Sequence, residues 1–465
     1  MNVETAGNTA SLRSATALLI AMCLGLMLSM FNSTLVNVTL PDIATSLRVS
    51  ATELQWVSTI YSLCYAAMLL PGGALGNRLG RRNAFLAGIG VFVVGSLGCA
   101  AAPDLAALLA ARVAQALGAA TMLPQTLAIL VHEFDHASVR SRAVGIWAGL
   151  ASLGLAAGPV LGGAIVSISS WRWGFLLSVL LGAATLALAL PAVPQSRHGR
   201  TPGAPTVDLP GAALSVVALA ALVFGLIEST DLGWDSPFIV LAFIASALAI
   251  AGFLLLEHTL GRRGTHPIMP LDIWRSRHFV AANLAGLAYF FCFFGILYFF
   301  SIDLQQQRGF TPLITGIAFL PMMITIAVLG PVAGRLGARF GSTRVLTAGL
   351  LIGGVGCFLL AFPAHSDSLL GVESQLLIVG IGCGLMSSPT SNLAVSSVER
   401  RHSSTASAVH NMCRQIGATL GVAVLAGVVS ASEFATGLDH AMAVLGALLA
   451  ATAVAVWLLT RRTAR

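Results

Sequence analysis

Fourteen long runs of mostly apolar residues dominate this sequence, and they constrain its fold more than any other feature. A helix needs about 20 such residues to cross the hydrocarbon of a bilayer. The runs lie near residues 15–40, 54–75, 84–102, 105–131, 143–168, 173–193, 209–228, 237–257, 279–301, 313–334, 345–363, 371–397, 405–431 and 439–459. With 57% hydrophobic and 9% charged residues, a soluble domain of this size would aggregate. The pattern predicts an all-α membrane protein with fourteen transmembrane helices.

The basic residues are all arginine, and their distribution predicts the orientation of the chain. Twenty of the 25 fall on the side of the termini, whereas Arg48, Arg172 and Arg308 fall on the other side and Arg112 and Arg414 fall inside spans. Positive charge is retained in the cytoplasm. We therefore expect a multi-pass protein of the cytoplasmic membrane with both termini in the cytoplasm. Because orientation explains the net charge of +7, no nucleic-acid partner is expected.

A repeated sequence segment suggests that the chain has two related halves. The segment GGALGNRLGRR (72–82), in the loop after the second run, is similar to GPVAGRLGARFGSTR (330–344), which follows the tenth run. Repeated halves are a common way to build transporters that open alternately to each side. The expected organisation is a first six-helix bundle at 1–193, a cytoplasmic linker at 194–208, an inserted helix pair with its loop at 209–278, and a second six-helix bundle at 279–465.

Several motifs then carry a resemblance to a known family. The loop after the second run contains Gly73, Asn77, Arg78, Gly80, Arg81 and Arg82; the fourth run contains Arg112, Gln115 and Gly118; the fifth contains Gly154, Gly158, Pro159, Gly162 and Gly163. LVNVTLP (35–41) and RQIGATLGVAV (414–424) add to them. Together these motifs resemble the major facilitator superfamily, specifically its fourteen-span drug:proton antiporter branch. Two departures are Asn77 in place of an Asp and Ala116 in place of a Gly.

The resemblance implies a function and roles for the motifs. It implies a major-facilitator fold in which two bundles rock about a central cavity and export a small amphipathic drug or natural product, in exchange for protons. The 73–82 arginines would gate by docking on helix ends and acids; a purely topological basic loop is the alternative. Small residues every fourth position let helices approach closely, and in the family the fifth-span bend is thought to close a leak path. Ordinary tight packing is the alternative.

Asn32 raises the question of where a coupling proton would bind. The resembled branch commonly carries an Asp in the first span where this chain has Asn32, and an amide cannot titrate. The candidate proton carriers are Asp303, His410, which titrates in a useful pH range, and Glu228. An interfacial acid, a hydrogen-bonded interior residue and a loop-edge acid are the respective alternatives. The neutral residues at 32 and 77 leave an uncoupled facilitator as the competing function.

Arg112 is the expected neighbour of Asn32, because the two residues lie at similar depth. Arginine keeps its charge in proteins, and Asn32 can only hydrogen-bond it. With Arg414 also inside a span, the cavity is predicted to be net positive, which favours an anionic, zwitterionic or neutral cargo. The alternative is that Arg112 only holds helices together through carbonyls and Gln115.

Other apparent sites are weaker. HEFDH (132–136) matches a zinc-protease signature, but it has no obvious third ligand and is close to Arg140, so no metal is expected. YFFCFFGILYFF (289–300) could line a cargo pocket or face lipid. No Walker motif or catalytic cluster occurs, so neither an enzyme nor a cofactor is expected. The expected partners are a small-molecule substrate, protons and membrane lipid, and the protein is expected to act as a monomer.

Overall fold

The computed structural model describes residues 3–134, 136–194, 208–262, 269–361, 369–399 and 402–461. Within these ranges the chain is helical and contains no strand. The α-helices are α1 (Val3–Leu47), α2 (Ala51–Leu79), α3 (Arg81–Ala101), α4 (Leu105–Glu133), α5 (Ala137–Ile168), α6 (Arg172–Ala192), α7 (Leu209–Leu232), α8 (Pro237–Arg262), α9 (Arg277–Ile302), α10 (Pro312–Ala318), α11 (Leu320–Phe340), α12 (Ser342–Leu360), α13 (Leu369–Ser396), α14 (Ser403–Ser430) and α15 (Phe434–Thr460). A 3-10 helix at Leu271–Arg275 precedes α9, and a π-helical turn at Asp303–Gln307 follows it.

The helices account for the predicted membrane spans. Thirteen helical stretches of the described chain are long and apolar enough to cross a bilayer, and α10 and α11 together form one of them, Pro312–Phe340. The remaining long helix, α2, has 29 residues and packs against α4, α7 and α14. The predicted all-α membrane architecture is confirmed. The expected linker at 194–208 lies almost entirely outside the described residues.

Several helices are longer than the sequence predicted. α1 continues through Pro41 to Leu47, and α2 continues to Leu79, so the expected loop at 72–82 is wrong. Only Gly80, with φ of 83°, separates α2 from α3, and Gly341, with φ of 92°, separates α11 from α12 in the same way. Glycine adopts positive φ without steric cost. The repeated Gly-rich segments are therefore helix ends closed by a single-residue break.

We call α1–α6 the first bundle, α9–α15 the second bundle, and α7 with α8 the inserted pair. In the first bundle α1 contacts α5 and α6, and α3 contacts α4 and α6; in the second, α9 contacts α13, α14 and α15. α7 pairs with α8 and also contacts α2 of the first bundle and α14 of the second. A hydrogen bond of 2.7 Å from Trp56 Nε1 to Glu228 Oε1 ties α7 to α2. The inserted pair is thus anchored where the two bundles meet.

The two ends of the bundles can be told apart by their arginines. At one end, Arg82 Nη2 donates to the carbonyl of Leu190 at 2.9 Å, joining the start of α3 to the end of α6. At the other end, Arg172 Nη2 donates to the carbonyl of Ala102 at 2.7 Å. We call the first the basic end, because most of the arginines that the structure describes lie there, and the second the far end.

The two bundles are joined at the far end. Gln305 Nε2 donates to the carbonyl of Val38 at 3.0 Å, and the Leu313 amide donates to Ser167 Oγ at 3.0 Å. These bonds connect α1 and α5 to the segment between α9 and α11. At the far end the bundles are therefore held together by two bonds, each between a side chain of one bundle and a backbone group of the other.

α5 is packed tightly near the far end and loosely near the basic end. A Cβ at Gly163 would overlap the carbonyl oxygen of Pro312, and a Cβ at Gly316 would overlap that of Pro159. At Gly145 and Gly149, by contrast, a Cβ would meet no heavy atom within 4 Å. Among these glycine positions of α5, the close approach to the second bundle is thus found at Gly163, near the far end, and not at Gly145 or Gly149.

Candidate functional site

A buried arginine lies at the centre of the first bundle. Arg112 is 1% exposed, and its Nη1 donates to Asn32 Oδ1 at 2.7 Å and to Gln115 Oε1 at 3.2 Å. Its guanidinium lies 4.7 Å from the ring centroid of Tyr61. Uncharged acceptors and an aromatic face therefore hold a permanent cation inside the bundle.

Hydroxyl groups extend this network to neighbouring helices. Gln115 Nε2 donates to Ser96 Oγ at 2.8 Å, and Asn32 Nδ2 donates to Ser178 Oγ at 3.5 Å. α1, α3, α4 and α6 are thereby linked through one set of polar side chains. Sequence reasoning missed Ser96, Ser178 and Tyr61; their only signal was that they are polar residues inside apolar runs.

The arginine network contains no carboxylate in the part of the chain that the structure describes. The two ion pairs found there are Arg275 with Asp272 and Arg308 with Asp303. Arg112 therefore forms no ion pair with an Asp or Glu of the described residues. Its exposure of 1% also means that Arg112 lies between helices of the first bundle, away from any open cavity in this conformation.

The second arginine inside a predicted span, Arg414, lies in a different environment. Arg414 is partly exposed and lies 4.0 Å from the ring centroid of Phe290. Its Nη1 reaches Asn411 Oδ1 at 3.5 Å, and Tyr65 of the first bundle is within its electrostatic range. Tyr65 in turn stacks on Tyr61, at 6.1 Å between ring centroids, and Tyr61 is the ring that faces Arg112.

His410 lies one helical turn before Arg414. It is 2% exposed, and its Nδ1 lies 3.4 Å from Asn283 Oδ1. Because Asn283 Nδ2 donates to the carbonyl of Phe279, the oxygen of that amide faces the imidazole, and Nδ1 is assigned as the donor. Nε2 has no hydrogen-bond partner among the described residues.

The two acidic candidates are each engaged at other places. Asp303 is 5% exposed and accepts from Arg308 Nε at 2.7 Å, in the π-helical turn at the far end. Glu228 lies on α7 of the inserted pair and accepts a hydrogen bond from Trp56 Nε1 of α2. The structure therefore does not bring Asp303 and His410 together, since they lie at different depths.

The arginines of the 73–82 segment contact helix carbonyls. Arg81 Nη1 donates to the carbonyl of Ala128 at 3.2 Å, and Arg82 donates to that of Leu190. Arg78 is exposed, while the side chain of Asn77 lies outside the described part of the structure. A Cβ added at Gly73 would lie 3.7 Å from Pro124 Cβ, so Gly73 packs against α4.

The glycines of the fifth helix face two different surfaces. At Gly154, Gly158 and Gly162, an added Cβ would meet atoms of Met27, Thr34 or Leu35, all on α1. Gly163 alone among the four faces the second bundle, at Pro312. The motif thus combines packing inside the first bundle with two contacts between bundles, at Gly163 and at the carbonyl of Pro159.

The structure also describes the aromatic stretch and most of the HEFDH segment. The aromatic stretch at 289–300 is buried throughout, so the lipid-facing alternative is wrong; it packs in the core of the second bundle. In the HEFDH segment, His132 and Glu133 end α4, His136 precedes α5, and Asp135 lies outside the described residues. No group of three or more His, Cys, Asp or Glu residues in the described ranges could hold a metal ion.

Comparison with known proteins establishes the family. Residues 22–215 and 209–422 each match the sequence model of the Major Facilitator Superfamily. The chain belongs to the major facilitator superfamily. It is 36% identical over 418 residues to the multidrug resistance protein Stp of Mycobacterium tuberculosis, covering 90% of this chain and 76% of that protein. It is 33% identical to the methylenomycin A resistance protein of Streptomyces coelicolor (91% and 87% covered) and to the tetracenomycin C resistance and export protein of Streptomyces glaucescens (89% and 76%).

A solved structure supports the same fold. The crystal structure of a POT family transporter in complex with a thioalcohol-conjugated peptide superposes with a TM-score of 0.74 over 97% of both chains, at 16% identity. The major-facilitator fold is therefore confirmed. Together with the names of the relatives, this makes the protein a multi-pass membrane efflux transporter that acts on a small-molecule substrate.

Proposed function

We propose that this major-facilitator transporter exports a small amphipathic drug or natural product across the cytoplasmic membrane by alternating access, in exchange for protons. The observation that carries the proposal is the asymmetry of α5, which is tight against Pro312 at Gly163 and open at Gly145 and Gly149. Two relatives are named for resistance to methylenomycin A and to tetracenomycin C. These names support an antibiotic-like cargo.

The orientation of the cycle follows from the arginines. Arginine-rich loops remain in the cytoplasm, so the basic end is cytoplasmic and the conformation closed at the far end receives its cargo from inside. Release requires the Gln305–Val38 bond and the Leu313–Ser167 bond to break while the basic end closes. The transporter completes this cycle as a monomer surrounded by lipid.

Proton exchange supplies the driving force, and His410 is the better placed carrier. One elementary charge moving through 100 mV provides about 2.3 kcal/mol. Asp303 is held by Arg308 at the far end, whereas His410 lies inside the second bundle, four residues from Arg414 and with a free Nε2 in the described structure. Protonation of His410 beside Arg414 would place two cations together, so proton binding and cargo binding would be coupled.

An uncoupled facilitator is the second candidate. It is favoured by the neutral Asn32 at Arg112, where the contact of 2.7 Å is made by an amide that cannot take up a proton. In this case cargo would move only down its own gradient, and an imposed pH difference would have no effect on its rate.

Transport in proteoliposomes distinguishes these candidates. The purified protein is reconstituted, a pH gradient is imposed, and the movement of ethidium, fluorescein and a neutral dye is followed with and without a protonophore. Antiport predicts movement of at least one dye that stops when the gradient collapses. Movement that is indifferent to the protonophore would support the facilitator, and no movement of any dye would refute export of this class of cargo. His410→Gln is expected to abolish the gradient dependence while downhill exchange continues.

A further inference from the structure

Arg112 and Arg414 each have a buried Nε without a hydrogen-bond partner among the described residues, but they differ in the bonds that their Nη atoms make. Arg112 donates a bond of 2.7 Å to Asn32 and one of 3.2 Å to Gln115. Arg414, within the described chain, has one hydrogen bond, of 3.5 Å, to Asn411, which is at the limit of such a bond. A guanidinium carries several N–H donors in one plane, so most of those on Arg414 lack an acceptor.

Unpartnered polar atoms cluster at Arg414. Its Nε is buried without a hydrogen-bond partner among the described residues, and so is Nε2 of His410 on the same helix. Both side chains pack over Gly286 of α9, where an added Cβ would meet His410 Cε1 at 2.6 Å and Arg414 Cγ at 3.2 Å. Buried polar groups are nearly always paired in native proteins, so this cluster indicates a ligand that supplies the missing groups.

The surroundings of Arg414 specify the charge and shape of that ligand. The guanidinium lies over Phe290 at 4.0 Å and near Tyr289 at 5.8 Å, with Tyr65 of the first bundle in electrostatic range. No carboxylate pairs with it in the described ranges. A planar cation between aromatic faces binds carboxylates with two parallel bonds and accommodates a flat aromatic body.

We propose that Arg414 is the cargo anchor and that it binds the carboxylate of an aromatic acid, with the ring of the acid packed among Tyr65, Tyr289 and Phe290. Arg112 instead keeps its bonds to Asn32 and Gln115 and organises the first bundle. Because Tyr65 belongs to the first bundle and Arg414 to the second, cargo bound here contacts both moving parts. The assignment deepens the proposed export function and rests on it for its role in transport, but binding can be tested alone.

The test measures binding of three probes that share one ring system. The full-length protein in lipid nanodiscs is titrated calorimetrically with 2-naphthoate, 2-naphthamide and 2-naphthylmethylammonium. Because a hydrogen bond to a charged group discriminates by about tenfold or more, 2-naphthoate is expected to bind about tenfold more tightly than the amide and more tightly still than the ammonium. Equal binding of 2-naphthoate and 2-naphthamide to the unmodified protein would overturn the proposal without any variant being needed.

Substitutions test whether Arg414 is the source of the preference for 2-naphthoate. Arg414→Gln is expected to remove the advantage of 2-naphthoate while 2-naphthamide binds as before, and Arg414→Lys is expected to restore part of it, because lysine keeps the charge but loses the planar fork. Arg461→Gln is the matched control: Arg461 also stacks on an aromatic ring, that of Trp457 at 3.2 Å, but lies at the end of α15. A preference that survives in folded Arg414→Gln protein, or one that is lost equally in Arg461→Gln, would refute the assignment. Selective binding in a protein that fails to transport would leave the site standing and count against the export function.

Discussion

The contact between Gly163 and Pro312 makes the balance between the two conformations directly measurable. An alanine methyl at Gly163 would overlap the carbonyl oxygen of Pro312 and would lie 3.1 Å from Leu313 Cα. These are backbone atoms, so α5 and α10 must separate to make room. Overpacking of this kind costs about 1–3 kcal/mol. The higher helix propensity of alanine is about equal in both conformations and cancels from their ratio.

Gly163→Ala should therefore shift the population away from the far-end-closed conformation. A change of 1–3 kcal/mol corresponds to a factor of about 5–150 in the equilibrium. Val38 is 0% exposed and lies at the interface between bundles, so a Val38→Cys reporter becomes reachable from the far side only when this end opens. Its labelling by a membrane-impermeant maleimide, followed by peptide mass spectrometry, is expected to become about fivefold faster or more in the Gly163→Ala background.

Two glycines of the same helix provide controls. Gly149→Ala meets no heavy atom within 4 Å and should leave the labelling rate unchanged. Gly158→Ala would overlap Thr34 Oγ1 inside the first bundle, so it should lower the melting temperature without increasing labelling. If Gly163→Ala labelled no faster than the parent, or if Gly158→Ala labelled equally fast, the closed far end could not depend on the approach of α5 to α10.

Three further substitutions test other parts of the structure. Asn32→Asp would place a carboxylate at the position 2.7 Å from Arg112 Nη1; its attraction of about 4 kcal/mol roughly offsets an insertion cost of about 2.5–3.5 kcal/mol. Thermal stability should thus change little while the ratio of cation to anion transport rises, and an unchanged ratio would show that the charge at Arg112 does not influence cargo choice. Trp56→Phe loses the bond to Glu228 and should lower the free energy of unfolding by about 1.5–3 kcal/mol, whereas Trp234→Phe, at a residue that is 59% exposed, should have little effect; equal melting of the two variants would argue against that bond. Arg308→Gln leaves the Asp303 carboxylate, with 6% side-chain exposure, without its cation and should destabilise the protein by about 3 kcal/mol; adding Asp303→Asn should restore much of this loss, and failure to do so would show that the pair is not the cause.

Apolar run length was sufficient to predict the helices, because the bilayer fixes how many apolar residues a span needs. It could not predict that α2 continues through Gly72 to Leu79, since glycine in a helix is tolerated where neighbouring helices pack closely, as Gly72 does against Ala120. It also could not predict the interruption at Phe319 between α10 and α11 or the seating of α7 between α2 and α14. Both depend on contacts between distant segments.

The candidate site was predictable only in part, for a similar reason. Equal depth along two helices was enough to place Asn32 near Arg112, because depth follows from sequence position. The direction in which a side chain points around its helix does not follow from apolar runs, so the roles of Tyr61, Ser96 and Ser178 were missed. The difference between Arg112, which donates to Asn32 and Gln115, and Arg414, which has one long bond to Asn411, required the positions of Asn411 and Phe290.

Reciprocal opening of the two ends is the most direct test of this account. Spin labels at Thr45 and Gln306, which line a surface cleft at the far end, report on one end. Labels at Val139 and Phe340, which are 47% and 49% exposed near the basic end, report on the other. Pulsed electron paramagnetic resonance in proteoliposomes, with and without a pH gradient and cargo, should show one distance distribution lengthening as the other shortens. Distances that stay fixed, or that change in the same direction at both ends, would contradict alternating access.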